Sequence, residues 1–169
     1  MQRHEVLFVL EAPSESFTDR RWKECDATEV AIKAHRAIFF EWAKSGKQAH
    51  LFRLFCPMSP DRRWPSLAES FQRFYVTDIW KDGAFKKLGG DREYREYWLS
   101  KLSVELREVP TSRIILVGGE AARGQKLARK GTPVYRIPFP SQWVSEEKFK
   151  EHVSSLAREI CRTERIGRI

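Results

Sequence analysis

Two short runs, Val6–Leu10 (VLFVL) and Ile114–Val117 (IILV), contain no polar residue at all. A strand that reads as continuously apolar, rather than alternating, has both faces covered. That is the pattern of a parallel sheet held between helices. Less uniform runs at Phe74–Trp80 and Pro133–Ile137 bring the set to four, with Leu51–Phe55 a further candidate at an edge. Helical patterns lie between them. Ala27–Lys44 has Asp26 and Glu29 spaced as a capping box and Ala34, Ile38 and Trp42 on one face. Asp91–Glu108 stacks Tyr94, Trp98, Leu102 and Leu106 at i+4, with Pro110 beyond its end. A third helix is expected from Glu120 to just before Gly131. The last follows Ser145, an N-cap, and its apolar face is Phe149, Val153, Leu156 and Ile160. This alternation predicts an α/β fold: a three-layer α/β/α sandwich with a short, mainly parallel central sheet. A length of 169 residues suits one domain spanning 1–169.

In such sheets ligands bind beyond the carboxyl ends of the strands. Four loops therefore become candidates: EAPSES after Leu10, KDGAFK after Trp80, GGEAA after Val117 and PFPSQW after Ile137. The first poses a sharp question, because an apolar strand runs into a carboxylate, Glu11, and is stopped by Pro13. Either Glu11 reaches solvent at an ordinary strand end, or the strand holds an acid at the mouth of a site. The formal charge of +8 and a pI near 9.6 favour polyanionic partners. Cys25, Cys56 and Cys161 are scattered, and the four histidines have no ligand spacing, so neither a disulfide framework nor a metal site is expected. With no long apolar run and no signal-peptide pattern, the expectation is a soluble, cytoplasmic chain without a membrane segment. GGEAARG does not match G-x-G-x-x-G, which argues against dinucleotide binding.

Taken in order, four segments resemble the uracil-DNA glycosylase superfamily. LEAPS (Leu10–Ser14) is similar to that family's G-E-A-P-G loop, and FYVTDIWK (Phe74–Lys81) to its Y-V-T-N-x-x-K strand. IILVGGEAA (Ile114–Ala122) resembles its apolar strand and glycine turn, and RIPFPSQ (Arg136–Gln142) stands where the family has an H-P-S loop. The resemblance covers most of the chain. It implies a DNA glycosylase-like hydrolase that flips a modified base and hydrolyses its N-glycosidic bond without any cofactor. It places Glu11 beside the sugar, where a carboxylate stabilises an oxocarbenium-like centre or orients water. Ala12, Pro13 and Ser14 would line the pocket. Phe17 is the expected stacking platform for the base, with Tyr75 or Trp80 as alternatives. Lys81, Gly118, Gly119 and Gln142 would meet the DNA backbone, and Ser141 or Gln142 would supply a polar contact to the base. The iron–sulfur cluster of some relatives needs four cysteines, which three scattered ones do not provide.

Two positions depart from the family pattern. Asp78 stands where the family has the asparagine that reads uracil, and Phe139 where it has the histidine that stabilises the departing base. An ionised aspartate only accepts hydrogen bonds, so it suits a base edge bearing an amino group. Phenylalanine donates none, which leaves Phe139 stacking or packing. Two other functional classes therefore stay open. One is a non-catalytic nucleic-acid-binding module on the same fold, the other a nucleoside or nucleotide N-glycosidase. A flavodoxin-like or receiver-like domain is disfavoured, because the loops lack a flavin-phosphate pattern and an acidic cluster.

Overall fold

A computed structural model of the chain describes residues 5–11, 73–80, 89–139 and 144–166. Four strands, β1 (Val6–Leu10), β2 (Phe74–Asp78), β3 (Ile114–Val117) and β4 (Val134–Ile137), form one parallel sheet in the order β2-β1-β3-β4. Every pairing is parallel, with Leu10 aligned to Asp78, Val9 to Leu116 and Leu116 to Arg136. The two uninterrupted apolar runs, β1 and β3, are the central pair, and every residue of both is buried. The flanking strands are only partly buried, which explains their mixed sequences.

Helix α1 (Arg92–Glu108) and helix α2 (Glu146–Ile166) cover opposite faces. On the α1 side, Leu102 and Leu106 pack with Leu7, Val9, Ile114, Leu116 and Trp80. On the α2 side, Phe149, Val153, Leu156 and Ile160 pack with Val6, Phe8, Phe74, Ile115 and Val117. The odd residues of β1 thus face α1 and the even ones α2, as strand alternation requires. Helix α1 is capped by Asp91, whose carboxylate accepts from the Glu93 and Tyr94 N–H groups.

Three boundaries differ from the sequence reading. β2 stops at Asp78 rather than Trp80, because the chain bends while Ile79 and Trp80 still donate backbone hydrogen bonds to Leu10 and Glu11. β4 begins one residue after Pro133, which has no N–H to give a ladder. The segment expected as a helix from Glu120 is a 3₁₀ turn, Ala121–Leu127. Its period of three aligns Ala121, Gly124 and Leu127 on the inward side. Gly124 lies so close to the core that a Cβ there would sit 3.4 Å from Leu102 Cδ2. The expected elements at Ala27–Lys44 and Leu51–Phe55 lie outside the described residues. No helix among the described residues is long and apolar enough to cross a membrane.

Candidate functional site

The strand order creates a switch point. From β1 the chain goes to β2 on one side, whereas from β3 it goes to β4 on the other. In sheets of this kind ligands bind at such a point, outside the carboxyl ends of the strands. Glu11 stands at that switch point, one residue past β1. Its carbonyl accepts from Trp80 N–H at 3.0 Å, so the ladder to the β2 side continues to this residue. Its side chain turns the other way, where Oε1 accepts from Glu120 N–H at 3.0 Å.

The glycine turn makes this possible. Gly118 has φ +99°, a left-handed conformation that glycine adopts readily. A Cβ at this position would overlap the Glu11 carboxylate, lying 2.6 Å from its Cδ. The turn is pinned from its far side by Gly118 N–H, which donates to Ile137 O at 2.9 Å. Gly118 thus makes room for an acid; Gly119 beside it is exposed. The result is a half-buried carboxylate with one oxygen held by a backbone donor and its orientation set.

Asp78 closes β2 at the same end of the sheet and is 3 % exposed. Its alignment with Leu10 puts it one register position short of Glu11, on the neighbouring strand. Alternation along β2 sends Phe74, Val76 and Asp78 toward the α2 side, and Tyr75 and Thr77 toward α1. Phe139 lies two residues past β4, half-buried, and packs on the α2-side core. Glu11, Gly118, Gly119, Asp78 and Phe139 therefore all gather at the carboxyl edge. Ala12, Pro13, Ser14, Phe17, Lys81, Ser141 and Gln142 lie outside the described residues.

Both alternative stacking platforms turn out to be structural. Trp80 is fully buried, and its ring stacks on Tyr94 with centroids 6.1 Å apart. Tyr75 points under α1 and donates from its hydroxyl to Glu105 Oε1 at 2.6 Å. Burial, and then the adjacent Glu105 carboxylate, push the Tyr75 phenol far above its ordinary range, so it stays neutral and a donor. Thr77 donates to the other oxygen, Glu105 Oε2, at 3.0 Å. This three-residue joint between β2 and α1 is not evident in the sequence. The Tyr-x-Thr spacing hints at two hydroxyls on one face, but nothing identifies Glu105 as the acceptor. Among the described residues no cluster of His, Cys, Asp and Glu could hold a metal ion. No family model, curated protein or solved structure matches the chain, and the chemistry of the site rests on its own geometry.

Proposed function

We propose that the chain is a DNA glycosylase-like hydrolase, on a uracil-DNA glycosylase-like fold, that excises a modified base. The observation that carries this reading is the Glu11 carboxylate, oriented by Glu120 N–H at the switch point between β1 and β3. Breaking an N-glycosidic bond leaves the electron pair on the base and positive charge on the sugar. A carboxylate fixed beside C1′ stabilises that charge and orients the water whose oxygen forms the new bond, while a water proton ends on the departing base. Asp78, as an acceptor on the neighbouring strand, suits a base edge with an exocyclic amino group. Phe139, packed at the same edge, offers an apolar wall but no donor to the leaving base.

The test is base release from oligonucleotides carrying uracil, hypoxanthine, xanthine or damaged cytosines, with Glu11→Ala and Glu11→Gln alongside. Release by the wild type that falls by about 10²-fold or more in both variants is expected, a loss typical of removing one transition-state electrostatic contact. Failure of the wild type to release any of these bases would refute the reading. A second reading, a binding module without chemistry, draws on the +8 charge and on a phenylalanine at position 139. It predicts DNA binding that weakens with salt and no free base.

A further inference from the structure

The connection between β3 and β4 has an unusual charge distribution. From Ala121 to Arg136 it contains Arg123, Lys126, Arg129, Lys130 and Arg136 and no acidic residue. All five are exposed. Arg123 is tied to Glu120 by an ion pair at 2.8 Å. The other four form no ion pair among the described residues. Arg129 spends one N–H on the carbonyl of Arg107 at the end of α1, at 3.3 Å, which anchors the guanidinium without neutralising it. Arg136, in the last strand of the described sheet, donates to the amide oxygen of Gln125, next to Lys126. That contact joins β4, an outer strand of the described sheet, to the 3₁₀ turn and brings Arg136 and Lys126 to the same edge of that sheet. Arg129 and Lys130 also border an open groove between Pro110–Thr111 and Gly131–Thr132.

We infer that this edge is a docking strip for the phosphodiester backbone of a nucleic acid, formed by Lys126, Arg129, Lys130 and Arg136. The strip begins at the 3₁₀ turn that follows the Glu11-binding loop, so a strand lying on it leads toward the candidate site. An anionic membrane is the weaker fit, because surface-binding segments pair their cations with exposed apolar side chains. The large exposed hydrophobics among the described residues, Tyr97 and Val104, are both on α1 and not on this edge. The inference shares with the proposed function only the choice of nucleic acid as partner.

The experiment is anisotropy of a labelled oligonucleotide, titrated with the full chain over a range of salt, for wild type, Lys126→Glu/Lys130→Glu and Arg136→Gln. Losing two phosphate contacts makes the plot of log K against log salt shallower by about 1.4–1.8, and binding roughly tenfold or more weaker at 0.1 M salt. Arg136→Gln, which loses one contact, is expected to make the slope shallower by about half as much. A wild-type slope in both variants would overturn the strip, and so would absence of oligonucleotide binding by the wild type. Equal binding of phosphatidylserine vesicles, lost in the same variants, would overturn it in favour of a membrane. Base release decides the other question separately. A strip that passes in a protein releasing no base survives the failure of the glycosylase reading, and the converse holds as well.

Discussion

A carboxylate at the end of a buried strand has to find donors, and Glu11 finds one in a backbone N–H rather than a side chain. Such a donor is fixed by the fold, so the acid's direction depends on the turn that presents it. Gly118 is the residue that cannot be replaced there. In Gly118→Ala the added methyl meets the Glu11 carboxylate, and φ +99° is strained for any L-residue. The expected loss is about 1–3 kcal/mol from the backbone alone, with further cost from displacing Glu11. Chemical denaturation measures the sum. Glu11→Gln separates charge from shape, because its amide oxygen can still accept from Glu120 N–H. Its midpoint should stay within about 1 kcal/mol of wild type, even where activity is lost. A large drop in stability would mean that the carboxylate serves the fold more than the chemistry.

At the scale of elements, the joint between β2 and α1 sets the footing of Asp78. Tyr75 and Thr77 both donate to Glu105, one to each oxygen, and Thr77 is the residue before Asp78. Tyr75→Phe removes the shorter bond and should cost about 1–3 kcal/mol, since the acceptor is a carboxylate. The pH dependence has a definite sign. The folded phenol is raised above its unfolded value of about 10, so its stabilisation is complete below pH 10 and declines above it, as the unfolded chain alone loses the proton. Wild type should therefore weaken more steeply than Tyr75→Phe above pH 10, when both are unfolded by urea at stepped pH. The 3₁₀ turn gives a contrasting pair. Gly124→Ala places its methyl 3.4 Å from the flexible end of Leu102 and should be within about 1 kcal/mol of wild type. Gly124→Leu should cost about 1–3 kcal/mol by overpacking.

How much of this was legible from residues alone follows from how local each signal is. The strand cores and both helix faces depend on periodicity within one segment, and Leu102, Leu106, Phe149 and Val153 are buried as their spacing implies. β2 ends earlier than its apolar run implies, because Ile79 and Trp80 are apolar and buried but sit in a bend, although their N–H groups still pair with Leu10 and Glu11. The 3₁₀ turn differs from the expected helix because A-A-R-G-Q-K-L suits either helix type, so no local pattern chooses between them. Glu11 stood out as an acid ending an apolar strand. Its donor lies 109 residues away, and that pairing is tertiary information which no local pattern carries.

At the scale of the whole molecule, the sheet separates two cores among the described residues, and these share only the strands. On one side the sheet rests on α2 through Phe149, and on the other on α1 through Leu102; both side chains are fully buried. Phe149→Ala should cost about 3–5 kcal/mol and Leu102→Ala about 2–5 kcal/mol, from lost transfer energy and the cavity left behind. At about 2–4 °C per kcal/mol for a chain of this length, either change lowers the melting temperature by several degrees or more. The two sites lie on opposite faces of the sheet, so their effects should add, with any coupling below about 0.5 kcal/mol. The sum approaches the whole stability of an ordinary domain, about 5–15 kcal/mol. The double variant is therefore expected to be largely unfolded at 25 °C, while each single variant still unfolds in one cooperative step. Two separate transitions in either single variant, followed by far-ultraviolet circular dichroism and tryptophan fluorescence, would show instead that the α1 and α2 layers melt independently.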